Sequence, residues 1–341
     1  MVLIYSYFLT IVLTFSSFLS CNAVATKKFP FLMPNIHPFI DDLYVCTAVR
    51  IDYSKPYHIV AFEPNATMHT AHHILLYGCK EPSTTLSVWN CGEMSSSSDI
   101  LPAYNPCKSG SEIIYAWARD APRFELPEGV GFLVGGDSPI QYLVLQVHYA
   151  HKFRDGEADR SGLILHYTEE PLPKTAAVLL LGTGGAIMPK GEEHMETACT
   201  IMEDKVLHPV AYRTHTHQLG KVVSGYVVRE EGGKQVWTLL GKRDPLTPQM
   251  FYPVENKSLT IRYGDKLAAR CTMFNYRNKI VEVGQTSADE MCNFYLTYWV
   301  EKTPPLEMKY CFTGGPPNYY WGQDNDGIDI SQIPKTASSL D

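Results

Sequence analysis

Twelve histidines stand in this chain of 341 residues, and five of them, in two pairs and one single position, are placed for metal chemistry. His215-Thr216-His217 is an HxH pair. Side chains two apart on a strand share a face, so both imidazoles can close on one ion. His72 and His73 are adjacent and would point to opposite faces of a regular strand. Both reach one ion only where the backbone turns, at a strand start or a bulge. His148 lies in the apolar segment QVHY at 146–149, and Met291 offers a thioether. Thioether sulfur is soft and suits Cu(I), and imidazole serves both oxidation states of copper. Zinc would prefer thiolate or carboxylate company. Each residue alone has a plainer explanation: a surface strand pair for the HxH, a satisfied core histidine for His148, core packing for Met291. His69, His151, His166, His194 and His208 are read that way.

The elements that must position these groups are strands. Segments 73–77 (HILLY), 142–149 (YLVLQVHY), 162–167 (GLILHY), 222–229 (VVSGYVVR), 236–241 (VWTLLG) and 294–300 (FYLTYWV) are rich in β-branched and aromatic residues. Residues 230–235 (EEGGKQ) read as the loop of a hairpin between two of them. No segment sustains a helical apolar period over three turns. The class is all-β, with short strands and frequent turns that imply two antiparallel, jelly-roll-like sandwiches in tandem. The charged, proline-containing stretch EEPLPK at 169–174 marks the boundary, giving domains 26–170 and 171–321. The Gly-, Asp- and Ser-rich tail 322–341 reads as frayed. The LGTGG run at 181–185 lacks the Lys-Ser/Thr pair and following helix of a phosphate loop.

Residues 1–25 carry no charged side chain and end in a small-x-small AVA, which reads as a secretory signal peptide. No later apolar run approaches the ~20 residues a membrane helix needs, so no transmembrane segment is expected in the mature chain. Eight of the nine cysteines follow the leader, an even set that in an oxidising compartment reads as four disulfides. Sequons at Asn65 and Asn256 fit export through the secretory pathway, to a vesicle lumen or the exterior. A net charge of −7 argues against a nucleic-acid partner.

Taken together the segments are more specific. AHHILLYGC at 71–79, YAWARDAP at 115–122, LPEGVGF at 126–132, LQVHY at 145–149, AYRTHTH at 211–217, LGKVVSGY at 219–226 and SADEMCN at 287–293 closely resemble the copper type II, ascorbate-dependent monooxygenases. The likeness is to the peptidylglycine-hydroxylating members and covers roughly residues 40–312. It implies two copper ions: one held by His72, His73 and His148, the other by His215, His217 and Met291. It pairs Cys46 with Cys91, Cys79 with Cys107, Cys199 with Cys311, and Cys271 with Cys292. It also implies an oxidoreductase that uses ascorbate as reductant and O2 as co-substrate to hydroxylate the glycine α-carbon of glycine-extended peptides.

On that reading the all-histidine copper receives electrons and the Met291 copper meets oxygen and substrate. Gln146, two before His148, is a candidate for organising the path between them. Arg213 shares a strand face with His215 and suits a carboxylate; Asn293 and Tyr295 lie two and four past Met291 on the same side. Only about thirty residues follow Cys311, so a separate lyase is expected to convert the hydroxyglycine product to the amide. The alternatives are a catecholamine-type copper monooxygenase and a non-catalytic secreted copper-binding protein. Arg213 has the wrong charge for a cationic amine.

Overall fold

The computed structural model describes residues 25–92, 103–284, 288–323 and 325–341. All but the last residue of the expected leader, and the serine run at 95–98, lie outside the described residues. The described chain is strands and turns, with one short 3-10 turn at Ile330–Gln332. In the first half a five-stranded antiparallel sheet runs in the order Trp89–Asn90, Leu43–Arg50, Tyr142–Tyr149, His73–Cys79, Glu112–Ala118. It faces a second sheet built from Lys27–Leu32, Gly162–Thr168, Pro56–Asn65 and Val130–Gly135.

That second sheet does not stop at the domain boundary. Val130–Gly135 pairs in parallel with Lys174–Thr183 through Val130↔Lys174 and Gly131↔Thr175. The sheet then continues through Asn293–Glu301 and His208–His215. Opposite it in the second half lies a four-stranded sheet of Glu192–Thr200, Lys266–Phe274, Gly220–Glu231 and Lys234–Arg243. The 169–174 stretch is therefore no free linker. Glu169 is held by Lys27 and, at 2.9 Å, by Lys55, and the Pro173 carbonyl accepts from the Lys302 amide.

The Lys174–Thr183 strand explains how two sandwiches share one sheet. Its side chains alternate with period two: Ala176, Val178 and Leu180 enter the first hydrophobic core, Ala177, Leu179 and Leu181 the second. Being covered on both faces, it reads as a continuous apolar run rather than an alternating one. Phe251 crosses likewise, joining the stacked rings of Phe62, Tyr115 and Phe124 from the first half.

Two local expectations are corrected. The six-residue loop at 230–235 shrinks to a two-residue turn, Gly232-Gly233, because the strands extend to Glu231 and from Lys234. Both glycines have positive φ, 58° and 77°, the backbone that a tight hairpin matched to strand twist requires. The tail is not frayed. Ile328 and Ala337 are buried with Tyr319, Trp321, Tyr226, Val228 and Ala268 on the outer face of the four-stranded sheet. Trp321 packs 5.0 Å from the Trp237 ring with the Arg270 guanidinium over its own, and its backbone N–H donates to the buried Glu196 carboxylate. Small residues that looked unable to bury anything instead allow close approach to a sheet: the Ser224 hydroxyl donates to the Ala337 carbonyl at 2.9 Å.

All four disulfides expected from the resemblance are present, each within one half. The tail packing carries a stability prediction. Trp321→Ala should cost ~3–5 kcal/mol, the usual range for emptying a buried aromatic site, and lower the urea midpoint. An unchanged midpoint would show that the tail only rests on the sheet.

Candidate metal centres and the cavity between them

His73 is the first residue of its strand, and His148 sits directly across from it in the register. His72 precedes the strand in a bend, where its N–H donates to the His148 carbonyl at 2.8 Å. The backbone turn that two adjacent histidine ligands demand is thus present. The Nδ1 atoms of His72 and His73 lie 3.4 Å apart, and those of His73 and His148 3.3 Å apart. Potential ligand atoms of the three rings fall within 4.8 Å of one another. That spacing suits donors about 2 Å from a shared ion.

The ring protons are set by neighbours. The Asp42 carboxylate lies 3.1 Å from His148 Nε2, so Nε2–H donates outward and the Nδ1 lone pair turns inward. Burial holds His73 well below the ordinary imidazole range and pulls His148 down to about 4, although Asp42 pushes the other way. Neutral rings with fixed tautomers are what a metal site needs. Tyr44 stacks on His148 at 4.0 Å and fixes its plane.

The second set is built differently. His215 ends its strand; His217 lies beyond it in a turn, so the shared strand face expected for the HxH gives way to a loop geometry. The rings sit 5.5 Å apart, nearly perpendicular. Gln249 orients the first. Its Nε2 donates to the Thr216 and Pro245 carbonyls, which leaves Oε1 to accept from His215 Nδ1–H at 2.6 Å. His217 Nδ1–H donates to the Asp289 carbonyl at 3.0 Å. Both Nε2 lone pairs are thereby left for a metal. Burial, with Arg213 second, keeps His215 well below its ordinary value.

The turn carrying His217 is held by a fully buried carboxylate. Glu290 accepts from the backbone N–H groups of His217 (2.9 Å), Gln218 and Leu219 (2.6 Å each) and Met291 (3.1 Å). One side chain thus ties the His217 turn to the residue before Met291. The Cys271–Cys292 disulfide anchors the other side of Met291.

The two sets face each other. One cavity of about 140 Å³ is bordered by His72, His73 and His148 on one wall and by His215 and His217 on the other. A narrower one of about 40 Å³ joins His73 and Gln146 to Arg213, His215, Met291, Asn293 and Tyr295. Every residue expected from the sequence to ligate metal, act in catalysis or hold substrate lines one of these two spaces. Among the described residues Arg119, which lines the larger cavity, also donates to the Leu246 carbonyl of the second half.

Two groups in the narrow cavity stand out, one for an unpartnered polar atom and the other for the lack of a counter-charge. Gln146 is fully buried; its Nε2 donates to the Gly92 carbonyl at 3.0 Å while Oε1 has no hydrogen-bond partner. Arg213 is 2% exposed, and among the described residues it forms no ion pair. Its Nε donates to the Gln249 carbonyl at 2.8 Å and its guanidinium lies 5.0 Å over the Tyr295 ring, while burial lowers its pKa. A buried cation without a counter-charge costs several kcal/mol.

Sequence reasoning missed Gln249, Glu290, Asp42 and Tyr44. Nothing local marks them: each acts through a fold contact with a residue 34, 73, 106 or 104 positions away. The remaining histidines include structural ones, His166 on Glu63 at 2.7 Å and His208 stacked on Trp299 at 3.7 Å.

The fold sets two groups of potential metal ligands facing each other, and comparison with known proteins gives the family. Residues 29–155 match the N-terminal domain, and residues 174–324 the C-terminal domain, of copper type II ascorbate-dependent monooxygenases. The chain belongs to that family. It is 40% identical over 292 residues to peptidylglycine alpha-amidating monooxygenase of Rattus norvegicus, covering 84% of this chain and 28% of that protein. To peptidyl-glycine alpha-amidating monooxygenase B of Xenopus laevis it is 40% identical over 294 residues, covering 84% and 32%. Dopamine beta-hydroxylase of Canis lupus familiaris is 28% identical over 287 residues, covering 79% and 44%. The chain spans under a third of the length of the peptidylglycine relatives.

Glu290→Gln tests the strap. An amide in place of the carboxylate turns a donor toward backbone N–H groups, at about 1–3 kcal/mol for each buried N–H left unmatched. Chemical denaturation should show the variant destabilised by at least that much; wild-type stability would mean the four hydrogen bonds are replaceable by water.

Proposed function

We propose that this protein is a copper- and ascorbate-dependent peptidylglycine monooxygenase, hydroxylating the α-carbon of a C-terminal glycine. The buried Arg213 beside Met291 and His215, with no counter-charge among the described residues, is the observation that carries this reading. A peptide's terminal carboxylate is the anion that would complete it, through charge-assisted hydrogen bonds from the guanidinium. The same charge disfavours a cationic amine, and the 40% identity to peptidylglycine enzymes against 28% to dopamine beta-hydroxylase points the same way.

The residues fit two coppers, one among His72, His73 and His148, the other among His215, His217 and Met291. When bound, copper would supply one-electron redox chemistry and activation of O2. The chain supplies the rest. Arg213 anchors the carboxylate, Asn293 and Tyr295 flank the peptide end, and Met291 offers the soft donor that favours Cu(I). Gln146 presents a free carbonyl oxygen to the space between the two sets and orients whatever occupies it. The 40 Å³ cavity admits only a few water-sized groups, so peptide entry requires its walls to part.

The product, a peptidyl-α-hydroxyglycine, calls for a lyase to release the amide, and glycine-extended peptides are the substrates supplied to this step. Four disulfides support a secretory setting, with sugar on Asn65 and Asn256, which are solvent-exposed. No helix among the described residues is long and apolar enough to cross a membrane.

Copper-loaded protein given ascorbate, O2 and a glycine-extended peptide should yield a product one oxygen heavier by mass spectrometry; uncoupled ascorbate oxidation with unmodified peptide would refute the assignment. Met291→Ile should abolish hydroxylation while three-histidine copper is retained, read by copper content and X-ray absorption. Turnover at the wild-type rate would show that sulfur is not required. Arg213→Gln should lower kcat/KM for free-carboxylate peptides roughly 10²-fold, the equivalent of ~3 kcal/mol. Peptides already ending in an amide should lose far less, and equal losses would remove the carboxylate from the argument.

A further inference from the structure

His72 borders two separate spaces. One is the central cavity shared with His215 and His217; the other is a surface pocket of about 460 Å³ between the 68–72 turn and the 150–158 segment. Its volume lies in the ~300–1,000 Å³ range of small-molecule sites. His72 is also the solvent-exposed member of the triad, whereas His73 and His148 are 8% and 5% exposed. A molecule in this pocket therefore meets the triad through one imidazole without entering the space between the two halves.

The pocket wall is cationic. Lys152 and Arg154 line it together with His69 and His151, against a single acid, Glu157. Glu157 accepts from the Arg154 backbone N–H at 3.1 Å, and Asp41 from the Lys152 backbone N–H at 2.8 Å. Asp42 is engaged with His148. The carboxylates of Glu157, Asp41 and Asp42 thus serve amides and a ring nitrogen, and Asp155 on the same segment does not line the pocket. Among the described residues the Lys152 and Arg154 side chains form no ion pair. Both are exposed, on a segment that carries no core side chain from 154 to 158.

We propose that this pocket docks the anionic reductant, an ene-diol of the ascorbate class, and passes its electrons to the triad metal through His72. The inference rests on the monooxygenase reading above and adds where the reductant binds. At neutral pH the donor is a monoanion. It gives up one electron and its remaining ene-diol proton to become the radical anion; the proton leaves to water at the pocket mouth, and the electron reduces one Cu(II) to Cu(I). Two such donations supply the two electrons that hydroxylation by O2 consumes, the second oxygen atom leaving as water. Lys152 and Arg154 raise the local concentration of the anion, an effect that added salt screens. Reductant and peptide then use different openings, so neither must leave before the other arrives.

The test is the Lys152→Glu, Arg154→Glu double variant. Copper-loaded protein is mixed anaerobically with ascorbate, without peptide, and the loss of the Cu(II) paramagnetic resonance signal is timed. At sub-saturating ascorbate the variant should reduce about tenfold more slowly, with a flatter salt dependence, while neutral hydroquinone reduces both proteins at similar rates. Glu157→Gln should speed reduction by ascorbate. In the Cu(I) protein, which is diamagnetic and already reduced, ascorbate should shift the ring resonances of His69 and His151 in wild type and not in the double variant. Equal ascorbate rates in wild type and double variant, or an equal slowing with hydroquinone, would overturn the proposal. Wild-type copper that ascorbate cannot reduce at all would instead bring down the monooxygenase reading itself.

Discussion

A histidine can hold a metal only if one ring nitrogen is stripped of its proton and aimed, and this fold meets that demand by occupying the other nitrogen. Asp42 takes the outer N–H of His148, Gln249 that of His215, and the Asp289 carbonyl that of His217. Each acceptor is itself fixed, Gln249 by two further hydrogen bonds from its amide. Burial then keeps His73, His148 and His215 neutral. The ligand geometry is therefore inherited from a second layer of contacts, and loosening that layer would blur the tautomers before it unfolded any strand.

The same layer links the histidine positions to the buried Arg213. Gln249 accepts from His215 through its side chain and from Arg213 through its backbone carbonyl. Arg213 and His215 lie two apart on one strand, so a displacement of either is felt by the other. Glu290 plays a matching part on the far wall, joining the His217 turn to Met291 by four hydrogen bonds to one buried carboxylate. Small errors in either strap would misplace reacting groups by enough to matter, since orientation accounts for much of an enzyme's rate enhancement.

The two halves are less independent than a tandem arrangement suggests. A shared sheet, a strand with one face in each core and an aromatic stack that includes Phe251 couple them mechanically. The histidine sets consequently meet across cavities of about 40 and 140 Å³. A separate outer pocket of about 460 Å³ borders His72 on the side away from the second half.

The sequence by itself determined the all-β class, the strands around His73, His148 and Tyr226, and the residue types at both histidine sets. These follow from local information: β-branched alternation, turn residues, and ligand types that few other chemistries would gather. Only the tertiary structure decided that His217 leaves its strand, that the 169–174 stretch is pinned, and that the tail from Trp321 packs on a sheet. It alone revealed Gln249, Glu290 and Asp42, whose partners lie 34 to 106 residues away. The physical reason is the same in each case. Propensity and periodicity report on near neighbours, while the orientation of a ring, the company of a buried charge and the burial of a small residue are set by whatever the fold brings alongside.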